Sequence, residues 1–300
     1  MASTRSFERN WFYLATPQPA IIVGVLLMHR HMVSPKIWGL NLVAGLLLTV
    51  FCAGLSVVPL RPSKSSWPTM VIASSFVLLL ATFADAGLDG VHRWVHAGPI
   101  RFHPAAICLP LLILALGAIR FSAEGNSVGW LSPFLGVAAT ALLAFQPDAA
   151  QATAFAGALL ILLFLPPRRT WVVWPAALSS VVCAAWAWNR PDPLPSVRHV
   201  EGIVGLAAQS GVFWLLVSLV SLALLPLPFL FVRQRGGSSS FTALALGVYF
   251  SLQAIMPWFG FFPVPLVGFG LSPIIGYFGA LGWLVMASRP HPDTAFSKTS

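Results

Sequence analysis

The chain has 300 residues, of which 57% are hydrophobic and only 8% charged, against roughly a quarter charged in soluble domains. That balance excludes an aqueous globular fold. The net charge of +9 does not point to nucleic acid either, because the basic residues stand in ones and twos between apolar stretches and form no binding stripe.

In lipid every backbone N–H and C=O must be paired within the protein, which leaves helices or a closed barrel. The apolar stretches are long blocks of Leu, Val, Ala, Ile and Phe without the alternation of a barrel strand. The sequence therefore predicts an all-α, polytopic transmembrane helical bundle. At about 20 residues per crossing, ten spans are expected, near 11–28, 37–60, 67–85, 104–119, 128–145, 150–166, 171–188, 203–232, 239–257 and 268–287. The first is interrupted by Pro17 and Pro19, so a half-inserted segment is the alternative there. The eighth is overlong and carries Pro226 and Pro228, which cannot donate the helical hydrogen bond and predict a kink or tilt. One transmembrane domain over 11–287 is expected between an N-terminal tail, 1–10, and a C-terminal tail, 288–300. No small-residue cleavage site follows the basic start MASTRSFERN, so no removable signal peptide is expected. Cys52, Cys108 and Cys183 fall inside apolar blocks without metal-ligand spacing and are read as small buried hydrophobes.

With the N-terminus in the cytoplasm, the inner segments hold Arg5, Arg9, Arg61, Lys64, Arg120, Arg168, Arg169, Arg233, Arg235, Arg289 and Lys298, eleven of the 17 Lys and Arg. Both termini are therefore expected inside. Acids divide unevenly. Glu8, Glu124 and Asp293 are inner, whereas Asp85, Asp89, Asp148, Asp192 and Glu201 lie in or beside outer loops with His92, His96, His103 and His199. Ionisable groups at span ends mark functional sites when they face the bundle interior; the plainer reading is that outer loops must be polar. Nucleotide-binding, HExxH and GxSxG motifs are absent, which argues against an ATP-driven pump and intramembrane zinc proteolysis.

Four stretches, in chain order, resemble one known family. DGVHRWVHAGPIRFHP, from Asp89 to Pro104, is similar to the GxRRW…GP…FxP signature of the SEDS proteins (FtsW, RodA, SpoVE), with Gly90, His92, Arg93, Trp94, Gly98, Pro99, Phe102 and Pro104 at matching positions. Phe145-Gln146-Pro147-Asp148 looks like that family's QPD. PSVRHVEGIVGLAAQSG, from Pro195 to Gly211, resembles PExHTDFIFAVIGEELG, and PLVGFGLSPIIGYFGALG, from Pro265 to Gly282, resembles the PFISYGGSS segment before the last span.

The resemblance implies an inverting glycosyltransferase acting on a polyprenyl-pyrophosphate-linked saccharide of the lipid II type at the outer face of the bacterial cytoplasmic (inner) membrane, beside a single-span transpeptidase or another membrane subunit. Glu201 aligns with the family's HTDF aspartate and would be the base. Arg93 would face the pyrophosphate, for which a guanidinium fork is suited, and His92, Trp94, His199, Asp148 and Gln146 would complete the substrate-binding set. Asp148 would be structural or cation-holding; a divalent cation is the one cofactor in view, with no ligand set assigned. Lipid is an expected partner and nucleic acid is not.

Plainer roles stand beside these. Arg93 and Trp94 suit a headgroup anchor, Asp148 an N-cap for the sixth span, Glu201 an exposed acid at a helix start, and Trp186, Trp188 and Trp258 an interfacial belt. The chain also departs from the pattern. The family's PSExxK is Pro104-Ala105-Ala106-Ile107-Cys108-Leu109, its EE pair is Gln209 and Ser210, and SYGGSS survives as Gly270 and Ser272. Two further functions stay open: a non-catalytic subunit that binds a lipid-linked glycan or a partner helix, and a transporter of lipid-linked substrates.

Overall fold

The computed structural model describes residues 10–57, 66–98, 100–122, 131–165, 171–231 and 238–287. The tails at 1–9 and 288–300, Pro99, Glu124 and all the inner basic residues named above except Arg120 lie outside them. Arg120 donates to the Leu162 and Leu163 carbonyls at 2.8 and 3.2 Å, satisfying groups that a helix end leaves free.

Helices dominate. They are α1 (Gln18–Arg30), α2 (Pro35–Val57), α3 (Trp67–Ala81), α4 (Pro104–Ser122), α5 (Leu131–Phe145), α6 (Ala149–Phe164), α7 (Val173–Trp188), α8 (Ile203–Ser210), α9 (Val212–Leu224), α10 (Leu227–Leu230), α11 (Ser238–Ile255) and α12 (Leu271–Ala287). Among the described residues, six apolar helical stretches are long enough to cross a bilayer, and four shorter ones, α5, α6, α7 and α12, are of 10–17 residues. These ten match the expected spans in order.

The first expected span forms over Asn10–Arg30 despite its prolines, and local side chains explain how. Pro17 has no N–H for the Tyr13 carbonyl, which accepts from Thr16 Oγ1 at 2.8 Å instead. Gln18 Nε2 donates to the Leu14 carbonyl and to Thr49 Oγ1 on α2. The eighth expected span differs from its reading as one helix. It breaks at Gly211, whose φ of 115° is a conformation an α-helix cannot carry and glycine takes readily; the second break, at Pro226, is the kink that the two prolines predict. α8, α9 and α10 result.

A hairpin that helical periodicity did not reveal precedes α4: β1 (Val95–Ala97) pairs antiparallel with β2 (Ile100–Phe102), with Val95 opposite Phe102. Just before it, Leu88 and Val91 exchange backbone hydrogen bonds across Asp89 and Gly90, which both have positive φ, as a tight Asp-Gly hairpin turn requires.

The core lies where α4, α6, α11 and α12 pack, with Tyr249, Tyr277, Phe155 and Phe278 fully buried. α12 approaches α4 so closely that a Cβ on Gly276 would stand 2.0 Å from the Ala106 carbonyl oxygen. Such backbone proximity is the usual way membrane helices gain packing contact, because lipid gives no hydrophobic drive between them. It also fixes the start of α4 against the start of α12, at the hairpin end of the bundle.

Candidate functional site at the hairpin end

Five segments converge beside the hairpin: the stretch leading to β1, the turn between α5 and α6, the 189–202 loop, the 259–270 loop, and the start of α4. Arg93 ties four of them together. It is 5% exposed. Its Nη2 donates to Asp192 Oδ2 at 2.7 Å and, closer still, to the Pro147 carbonyl, and its guanidinium lies 5.9 Å from the Phe262 ring centroid. Arg93 Nε is buried with no partner among the described residues. A charge this far from water needs such partners to be tolerated.

Asp148, one residue after Pro147, caps α6 by accepting from Gln151 N at 3.2 Å, as the N-cap reading expected. The same carboxylate accepts from His103 Nε2 at 2.7 Å, and His103 N donates to Ser272 Oγ at the start of α12. Burial alone would push the Asp148 carboxyl up. The His103 contact, the Arg93 charge and the Gln151 N–H outweigh it and hold the group below the usual carboxylate range. Below the pair, Tyr249 Oη donates to Gln151 Oε1 at 2.6 Å and Gln253 Nε2 donates to the same oxygen at 3.1 Å, lining a narrow cavity with His103 and Asp148. Trp94 packs its ring 6.4 Å from that of His103.

Glu201 sits in the turn before α8. It is half-buried, and its Oε2 accepts from Val197 N at 2.8 Å. Burial raises its carboxyl above the ordinary value; the Val197 and Glu201 N–H groups and the Arg93 charge pull it back, while Asp192 pushes with burial. Arg93, Asp192 and Glu201 therefore form one electrostatic unit. His199 belongs to the same turn: its carbonyl accepts from Phe269 N at 2.9 Å, its ring leans on Phe269, and burial lowers its pKa, which favours neutral imidazole.

Two residues expected in the site point elsewhere. Gln146 is fully buried and donates through Nε2 to the Leu79 carbonyl and Thr82 Oγ1, both at 2.8 Å, so it fastens α5 to the end of α3. His92 stacks on Phe83 with ring centroids 5.7 Å apart. Asp85 and His96 form their own pair at 2.5 Å, bracing the hairpin. Among the described residues no group of three or more His, Cys, Asp or Glu could hold a metal ion. Each carboxylate of the cluster is already engaged, by His103, Arg93 or Val197, so this donor set does not suit a divalent cation, which takes six or more oxygens.

His103 and Asp192 enter the sequence reading only as members of a polar group, and Gln151, Tyr249, Gln253 and Phe262 do not enter it. The available signal was polarity inside a span: Gln151 and Gln253 are amides in otherwise apolar helices, where such side chains seek one another.

A polytopic helical membrane protein with a buried ionic cluster at one end of the bundle is the class that fold and site define. Residues 20–193 match the model of the FtsW/RodA/SpoVE cell cycle protein family, and the chain belongs to that family. Over 132 residues it is 34% identical to the probable peptidoglycan glycosyltransferase FtsW of Nitrosococcus halophilus, a match covering 41% of this chain and 34% of that protein. It thus spans about a third of the length of that curated relative. The fold resembles the crystal structure of the Thermus thermophilus rod shape determining protein RodA, with a TM-score of 0.68 at 17% identity, covering 93% of this chain and 96% of that one. A chain from a structural study of polymerization and crosslinking by a peptidoglycan synthase complex gives a TM-score of 0.70 at 18% identity, over 93% and 97%.

Proposed function

We propose that the protein is a glycosyltransferase of this family that extends a polyprenyl-pyrophosphate-linked saccharide, with Glu201 as general base. In the reaction, Glu201 takes the proton from the attacking sugar hydroxyl as the new glycosidic bond forms and the polyprenyl pyrophosphate departs from the anomeric carbon. The supporting observation is the electrostatic unit of Arg93, Asp192 and Glu201: a carboxylate made more basic by burial, within the field of a guanidinium whose chemistry suits a phosphate-bearing leaving group. Its relatives' names and its family membership support the same reading. The hairpin end then faces the outside of the cytoplasmic membrane, both termini lie in the cytoplasm, and a single-span transpeptidase or similar membrane subunit is the expected partner.

The observation that favours a non-catalytic subunit is the Val197 N–H on Glu201 Oε2, a turn-capping use of the same group, together with the missing Ser, Glu and Lys of PSExxK. One substitution separates the readings. Glu201→Gln keeps the shape but cannot accept the proton, and base catalysis is typically worth 10² to 10⁴ in rate. In the transferase, polymer formation by the purified protein from a lipid-linked disaccharide should fall by that factor while expression and partner association persist. Unchanged polymer formation refutes the base assignment, and absent turnover in the unsubstituted protein with its partner favours the subunit. In an active protein, turnover should fall on acidification at a pH above the ordinary glutamate range, because burial raises the Glu201 value and protonation removes the base.

A further inference from the structure

A second concavity opens next to the ionic cluster. It is a cavity of about 190 Å³, open on one side, walled by Trp188, Phe261 and Phe262 and carrying Arg190 and Asp192. Trp188 and Phe262 meet edge to face, with centroids 5.5 Å apart and planes at 86°, so two rings form a corner. Trp188 Nε1 donates to Thr153 Oγ1 at 2.9 Å, which sets the orientation of the indole. This distinguishes the residue from a free interfacial anchor: Trp188 is pinned on two sides, and its remaining exposed surface contributes to the cavity wall. Phe261 is 62% exposed.

The polar groups are equally particular. Asp192 uses Oδ2 for Arg93, and its side chain is 26% exposed, leaving carboxylate surface to accept a hydrogen bond. Arg190 lies over Trp186 at 5.3 Å, and its Nε is buried with no partner among the described residues. A site with aromatic walls, one carboxylate and one guanidinium fits a neutral ligand that has both an apolar face and several hydroxyls. The negative face of an aromatic ring attracts the weakly positive C–H groups of such a face, while the charged groups exchange hydrogen bonds with hydroxyls. A phosphate would meet the Asp192 carboxylate here, and a hydrocarbon tail would leave Arg190 Nε and the exposed carboxylate surface of Asp192 without hydrogen-bonding partners. The volume is far above that of one water and below the usual 300 Å³ of a drug-sized site, as expected for a single ring.

We propose that this cavity is a saccharide subsite, binding one pyranose ring of the lipid-linked glycan against the Trp188–Phe262 corner. The proposal rests on the transferase reading for its natural ligand, but sugar binding needs no turnover. Arg93 then joins the two places, since its contact with Asp192 holds a subsite residue within the unit that contains Glu201.

The test is equilibrium binding of N,N′-diacetylchitobiose to the full chain in detergent, followed by ligand-observed magnetic resonance. Saturable binding is expected, weakened about tenfold or more by Trp188→Ala and by Phe261→Ala, retained in part by Trp188→Phe, and unchanged by Trp171→Ala, whose indole is 84% exposed before the opposite end of α7. Inorganic pyrophosphate should not displace the disaccharide. Thermal unfolding of each variant establishes that it is folded, and Phe261, being largely exposed, can be truncated with little cost to packing. No saturable binding, equal effects of Trp188→Ala and Trp171→Ala, or displacement by pyrophosphate would each overturn the subsite. Specific sugar binding by a protein that never forms polymer would leave the subsite standing and sink the transferase reading.

Discussion

α2 and α4 are both apolar enough to cross a bilayer, yet the bundle treats them differently. In the most apolar 18-residue window of each, 67% of α4 positions are buried and only 17% of α2 positions. Apolarity therefore reports that a helix lies in the membrane and says nothing of whether it faces lipid or protein, because to a Leu the two surroundings are alike. Polar and small residues carry the distinction. α4 starts at the His103–Asp148 pair and packs against Gly276. α2 buries Asn41, Gly45 and Cys52; Asn41 donates to the Gly268 carbonyl at 3.0 Å and accepts from Gly270 N at 3.2 Å.

The largest effect is expected from removing one member of the buried pair. His103→Ala leaves the buried Asp148 carboxylate without the hydrogen bond from His103 Nε2, and losing a hydrogen bond to a charged group costs about 1.5–3 kcal/mol; unfolding in detergent at neutral pH should show a loss of that size. Acidification provides a second check. Because the Asp148 value is depressed in the folded protein, its contribution is present above the carboxyl's unfolded value and is lost as pH falls through the folded one. The unsubstituted protein should thus lose stability in that acid range, and His103→Ala should lose less.

A smaller effect separates two glycines. Gly276→Ala forces a Cβ onto the Ala106 carbonyl, and overpacking of this kind costs about 1–3 kcal/mol. Gly54→Ala on α2 meets nothing within 4 Å and should be neutral or stabilising by up to about 1 kcal/mol, the helix propensity difference. Equal losses from the two would mean that α2 is packed against a partner in the preparation. The smallest change is Tyr249→Phe, which removes the hydrogen bond to Gln151 and should cost about 1 kcal/mol in the same unfolding assay.

The helices were legible because their signal is local: twenty apolar residues announce themselves without reference to anything else. The Asp148 cap was legible for the same reason, since a short acid before a helix start is a local motif. Gly211 resisted reading, because a glycine in a span serves equally for close packing or for a break, and only its φ decides. The hairpin was hidden by its length of three residues per strand, although the Asp89-Gly90 turn before it is a strong local signal. Pairings across the bundle were not legible at all. His103 meets Asp148 at a separation of 45 residues and Arg93 meets Asp192 at 99, distances over which periodicity carries no information. Gln146 shows the reverse case: the motif resemblance put it with the substrate, whereas its amide fastens two helices. The motif retained the residue type without revealing which surface it faces.

We propose that the hairpin end, with Arg93, Asp192 and Glu201, receives the saccharide head of a polyprenyl-linked substrate, while α2 and α3 face lipid. This is tested most directly by cross-linking the purified protein to such a substrate carrying a photoreactive group on its sugar, followed by peptide mapping. Labels are expected within 91–103, 186–202 and 258–270, all reduced by excess unlabelled substrate. Labels confined to α2 and α3, or insensitive to competitor, would contradict it.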